Sequence, residues 1–193
     1  MWKKSFLGIW YLCCVLFFLG GCSASPAQPD YTNQTMDFSA VRSVAVLPFQ
    51  NLTPDDQAGE RVRDAFMVML LSTEAMYVLP SGEVARGINR IGMRTPQTPT
   101  VEEIIKLKNI LEVDAVFVGV LREYGSVRSG SAEANLVSLS LQMIETQTGT
   151  TVWSAASTKG GITMSDRMLG SGGRPMNDVT AQVINDLLDQ LFE

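Results

Sequence analysis

The sequence predicts one mixed α/β domain, a sheet of parallel and antiparallel strands packed by helices, in the order β-α-β-α-α-β-β-β-α. Three observations predict it. The early run Ser43-Val44-Ala45-Val46-Leu47-Pro48-Phe49 is apolar on both faces, as a central strand between helices must be. Segments with apolar residues at helical spacing follow it. A later segment alternates strictly, with Val137, Leu139, Leu141 and Met143 set against Ser138, Ser140 and Gln142. The two periodicities in one chain point to a two-layer or three-layer α/β sandwich.

In chain order, Pro48 limits pairing at the end of the first strand, because its nitrogen has no hydrogen to donate. Asn51-Leu52-Thr53-Pro54-Asp55-Asp56 reads as a helix start. Thr53 can cap, Pro54 suits the first helical position, and the two aspartates complement the helix dipole. Val62, Ala65, Phe66, Met69, Leu70 and Thr73 form that helix's inner stripe. Met76–Leu79 is a short strand, and Ser81 caps a second helix with Val84, Ile88 and Ile91 inward. Thr95-Pro96-Gln97-Thr98-Pro99 then breaks the chain. Thr100, with Glu103 three residues on, makes a capping box for a third helix whose Ile104, Leu107 and Leu111 face inward.

Asp114–Tyr124 is the next strand, and its Val116–Val120 stretch reads as buried on both faces. Ala134–Thr146 and Thr151–Thr158 form a hairpin about the turn Gln147-Thr148-Gly149-Thr150. The alternation in its first strand leaves one face in water. Gly160–Pro175 is a loop, and Asn177 caps a last helix with the stripe Val179, Val183, Ile184, Leu187, Leu188 and Leu191.

The start of the chain has a different character. Met1-Trp2-Lys3-Lys4 is basic, Ser5–Leu19 is almost wholly apolar, and Leu19-Gly20-Gly21-Cys22 closes the run. These are the parts of a secretory signal, and the apolar run falls short of the roughly 20 residues that span a bilayer. Ser23 to about Ala40 is rich in Ser, Pro, Gln, Asn and Thr, and reads as a tether. The expected division is residues 1–21 as signal, 22–40 as modified cysteine and tether, and 41–193 as the domain.

Composition excludes several kinds of chemistry. The chain has no histidine, and two of its three cysteines, Cys13 and Cys14, lie in the signal. Loss of the signal therefore leaves Cys22 alone, with no intramolecular disulfide. Ser-His and Cys-His catalysis are ruled out, as are the usual imidazole or thiolate sites for zinc and copper. Removing Lys3 and Lys4 also takes the formal charge from −5 to −7. An acidic chain argues against nucleic-acid binding, which needs clustered Lys and Arg.

Two resemblances bear on function. Leu19-Gly20-Gly21-Cys22 resembles the lipobox of bacterial lipoproteins. That implies cleavage between Gly21 and Cys22, a thioether lipid on Cys22 and acylation (palmitate, for example) of the new amine. Ser23, where aspartate would favour retention at the inner membrane, implies the periplasmic face of the outer membrane by analogy. Four further blocks resemble, in order, domains similar to the N-terminal domain of TolB: Val44–Thr53, Glu102–Gly119, Leu139–Thr148 and Val152-Trp153-Ser154. The match covers about residues 41–157, and the lipoproteins CsgG, PelC and LpoB are similar to the same superfamily. Each block also has a purely structural account. Leu47-Pro48-Phe49 ends a core strand, Asp114 sits at a helix-to-strand turn, Gly119 marks a close backbone approach, and Trp153 is a core or half-buried residue.

No catalytic constellation is evident. Asp55/Asp56 and Glu102/Glu103 are explained by helix dipoles. Gly170-Ser171-Gly172-Gly173-Arg174 precedes a helix, yet lacks the Gly-Lys-Ser/Thr of a phosphate-binding loop. Met164, Met168 and Leu169 in the same loop, together with Arg174, are candidate partner contacts, because methionine adapts to varied surfaces. The expectation is a non-enzymatic outer-membrane lipoprotein. It would hold no cofactor beyond its covalent lipid, meet the membrane through its anchor, bind other envelope proteins and form a homo-oligomer. Its role would be scaffold or accessory subunit of an export or assembly system. The alternative is an LpoB-like activator of a periplasmic peptidoglycan synthase, for which a tether of about 18 residues reaches at most ~65 Å.

Overall fold

Pro48 divides the first core strand in two. In the computed structural model, which describes residues 30–33, 38–129, 132–162 and 173–192, β2 runs Ser43–Val46 and β3 resumes at Gln50–Asn51. β1, Tyr31–Thr32, precedes them. The later strands are β4 (Tyr77–Val78), β5 (Ala115–Ser129), β6 (Ala132–Glu145) and β7 (Thr151–Gly160). They form one sheet in the order β1-β7-β6-β5-β2-β4, with β3 also on β5. β2 is parallel to β4 and β5, whereas β5-β6-β7-β1 is antiparallel throughout. The sheet is mixed, as the alternating pattern of β6 required.

Among the described residues four α-helices cover it: α1 (Ala58–Ser72), α2 (Ser81–Ile91), α3 (Val101–Leu111) and α4 (Met176–Phe192). α1 and α4 pack on one face, over Val44, Val46, Phe117, Leu139, Leu141, Met143 and Trp153. α2 and α3 pack on the other, over Ala45, Leu47, Val116 and Ile144. The architecture is therefore three-layered. Phe49, Phe66, Phe117 and Trp153 form a file of tilted and edge-on rings through the larger core, with centroids 5.3–6.5 Å apart.

Two bulges alter the alternation. In β7 the register shifts between Met143 and Ile144, so Val152 and its neighbour Trp153 both reach the larger core. In β5 it shifts between Leu121 and Glu123, which makes Arg122 the extra residue. Tyr124 rather than Glu123 then rejoins the apolar face. Val118 and Val120, expected to be buried on both sides, are only half-buried, because the cover of α2 and α3 ends at Val116.

Several local expectations need correction. Thr53 and Pro54 do not start a helix. The Thr53 hydroxyl donates to Asn51 Oδ1 at 2.8 Å, and Asn51 Nδ2 donates to the Asp55 carbonyl at 2.7 Å. The turn so closed delays α1 to Ala58. Ser81 is inside α2 and Pro80 precedes it, while Asn177 is inside α4, whose first amides bond the Pro175 carbonyl. The Thr100–Glu103 capping box is present on both sides. Part of the stretch read as tether belongs to the fold. Tyr31 and Thr32 pair with Ser154 and Trp153, and Phe38 packs against the larger core. In that ladder Asn33 N–H bonds the Val152 carbonyl.

Candidate functional site

β5 gives the molecule two ends. Its start, level with the start of β2 and the end of β6, is the lower end, and its far end is the upper. The lower end is closed by hydrogen bonds. Asp114 Oδ2 accepts from the amides of Arg42 and Ser43 and from Ser43 Oγ, each at 2.9 Å. Partial burial works to raise the Asp114 pKa, but the Arg42 and Ser43 donors, with Lys108 nearby, outweigh it and hold the carboxyl below the ordinary value of 3.8. Thr146 Oγ1, buried beside it, donates towards the carbonyls of Val113 and Asp114.

The upper end is built otherwise. A strand ribbon, residues 126–129 against 132–135, continues beyond the last β6–β7 pair at Leu136 and Gly160. Below it, on the α2–α3 face, lies a cleft whose floor is the half-buried part of β5. Two abutting cavities of about 430 and 300 Å³ make it up, joined at Gln50, Gln97 and Thr98. On the other face of the same strand Gly119 makes room for the larger core: a Cβ there would stand 2.6 Å from the Phe49 ring. The rim is polar, from Asn51, Arg122, Ser140 and Gln142. Arg122, turned by its bulge, donates Nε to Ser140 Oγ at 3.2 Å and takes part in no ion pair among the described residues. The side chains of Gln50, Gln97 and Gln142 likewise have no hydrogen-bond partner there.

Such a surface has donors and acceptors to offer a partner, and the carboxylates of Asp56 and Glu60 line its Asn51 side. The one nearby grouping of hydroxyl, amine and carboxylate lies on the opposite face, where Ser157 Oγ and Lys159 Nζ both donate to Asp186 at 2.6 Å. Partial burial works to raise Asp186, but Lys159, Ser157 and Gln190 overcome it and keep the carboxyl below its usual range. That carboxylate holds β7 to α4. Among the described residues no group of three His, Cys, Asp or Glu could hold a metal, and no helix is long and apolar enough to cross a membrane.

Of the residues singled out from sequence, Gly21, Cys22, Met164, Met168 and Leu169 lie outside the described residues. Arg174 is described and exposed, and its carbonyl accepts from Asn135 Nδ2 at 2.7 Å. The ends of its loop are tied to β6, Gly161 N–H to the Asn135 carbonyl and Gly173 N–H to that of Glu133. Sequence reasoning missed the cleft. Its one local signal was Arg122-Glu123, which interrupts the apolar run of β5.

Comparison with known proteins places the chain. The model of the GNA1162-like lipoprotein family matches residues 29–193. No curated protein matches. Among solved structures, lipoprotein GNA1162 from Neisseria meningitidis is similar with a TM-score of 0.55 and 20% identity, over 78% of this chain and 97% of that one. The PelC dodecamer from Paraburkholderia phytofirmans has a TM-score of 0.56 and 14% identity, over 83% of this chain and 92% of that one. The hypothetical protein CT253 from Chlamydia trachomatis has a TM-score of 0.52 and 13% identity, over 79% and 96%. At these identities the likenesses establish a shared fold, which is the mixed-sheet fold described above.

Proposed function

Because this chain belongs to the GNA1162-like lipoprotein family, we propose that it is an outer-membrane lipoprotein that works by binding, as a scaffold or accessory subunit of an envelope export or assembly system. The anchor is a lipid on Cys22, exposed by cleavage after Gly21, and no other cysteine competes for it once the signal is gone. The observation that carries the binding role is the upper cleft, where polar side chains stand without partners among the described residues. A homo-oligomeric form is supported by the shared fold with PelC, which is described as a dodecamer. Met164, Met168, Leu169 and Arg174 remain proposed contacts.

An activator that crosses the periplasm to a synthase is less well supported. Nine residue steps join Cys22 to Tyr31, the first paired residue, and they span at most ~32 Å. The test has two arms. An alkynyl palmitate fed to cells should label the wild-type chain and not Cys22→Ala, and an unlabelled wild type would refute the anchor. Native mass analysis in mild detergent should give a multiple of the chain. A strict monomer, with the products of neighbouring genes present, would refute the oligomer.

A further inference from the structure

An apolar groove of about 500 Å³ opens at the lower end, beside the N-terminal arm. Separate elements wall it: Phe38 and Val41 before β2, Met76 before β4, Met143 near the end of β6, and Leu191 and Phe192 closing α4. Val41 and Met143 are buried at its base, whereas Phe192 is 46% exposed. Two more exposed aromatic residues adjoin lining residues in the chain: Tyr31 precedes Thr32, and Tyr77 follows Met76. None of the exposed large hydrophobic residues among those described lies on the ribbon. Three of the eight exposed large hydrophobic residues among those described, Tyr31, Tyr77 and Phe192, thus lie at or beside this groove, and an apolar patch of this kind marks a docking surface.

We propose that this end rests on the bilayer that holds the anchor, with the groove rim as a second contact. The proposal depends on the lipidation of Cys22 argued above. The length of chain ahead of the fold selects the occupant. At most ~32 Å separates the lipid from Tyr31, so the domain is held beside the headgroups, and the chain enters the fold at the groove wall, one residue before Thr32. Tyrosine and phenylalanine at a rim suit the depth where headgroups meet acyl chains. A second apolar contact turns a tether into a fixed orientation. Glu74 and Asp189, next in the chain to Ala75 and Gln190 of the lining, are acidic, so the contact is apolar and does not rest on anionic lipid. In this orientation the ribbon and the upper cleft point away from the membrane.

The test uses the full lipidated chain in phosphatidylethanolamine–phosphatidylglycerol vesicles that carry doxyl-labelled phosphatidylcholine. A bimane is placed through Thr32→Cys, Phe192→Cys or, as the distal control, Arg128→Cys, each with circular dichroism matching the wild type. Lipid caps the Cys22 thiol, so only the introduced cysteine reacts. Emission from positions 32 and 192 should fall about twofold or more, as expected at interfacial depth, and emission from position 128 should hold. Equal emission at all three positions would overturn the proposal. A blue-shifted but unquenched bimane at position 32 would place the chain's own acyl group in the groove, and would also overturn it. Bimane on the wild-type chain would reveal a free Cys22 thiol, and would remove the lipidation reading rather than the docking geometry alone.

Discussion

The two ends of the sheet use polar residues in opposite ways. At the lower end the side chains of Asp114 and Thr146 hold five hydrogen bonds between them, all to the chain itself. At the upper end Gln50, Gln97 and Gln142 face a cleft with no partner among the described residues, and Arg122 makes a single bond to Ser140. Polar groups that have found partners within the chain fix it, and groups left without them are available to another molecule. The lower end accordingly secures the fold, and the upper end is the one proposed for a partner.

The largest effect expected is in the core that joins the two ends. Trp153 is 1% exposed, stands edge-on to Phe117, and donates Nε1 towards the Gln190 carbonyl. Trp153→Ala should cost about 3–5 kcal/mol in a denaturant titration, through lost burial and the cavity left behind. A loss near zero would mean that the file of rings does not link the layers.

Gly119→Ala sharpens the comparison from the core face of the strand that floors the cleft. Its Cβ meets the Phe49 ring at 2.6 Å, so the ring must shift or the strand must bend. About 1–3 kcal/mol should be lost. Gly125→Ala, on the same strand with open space around its Cβ, should be close to neutral in the same titration. Equal losses would show that strand flexibility, and not the close approach, sets the cost.

Asp114→Asn tests the lower end. It should cost about 1–2 kcal/mol at neutral pH, a reduced figure because the carboxylate is only partly buried. The carboxyl is held below 3.8 in the folded chain. Its contribution is therefore complete above that value and disappears as pH falls through the lowered folded value. The substituted chain should lose less stability than the wild type between neutral pH and strong acid. Parallel curves for the two chains would remove Asp114 as a staple.

Much of this fold is legible in local spacing. The alternation in β6 declares its one wet face, the stripe in α4 declares its buried side, and Thr100 with Glu103 declares a helix start. Gly119 is readable as a close approach because few other roles suit glycine inside an apolar strand. Asn51 shows where local reading fails. Its amide bonds Thr53 and Asp55, and it keeps open a turn that Thr53-Pro54 would otherwise convert to helix. β1 was hidden because two residues carry no periodicity, and only pairing with β7 makes them a strand. The cleft was hidden for a similar reason. Gln50, Gln97, Arg122 and Gln142 come from four separate segments, and a bulge turns Arg122 to the rim.

The most direct test of the division between the ends pairs a cleft variant with a lower-end control. Arg122→Glu with Gln142→Arg should change stability by no more than about 0.5 kcal/mol, because both side chains are exposed. Native mass analysis of that lipidated chain should show the assembly lost, while Lys108→Glu, at a half-buried position of the lower end, leaves it intact. An assembly that survives the cleft substitutions, or one broken equally by Lys108→Glu, would contradict the assignment of the upper end to partners.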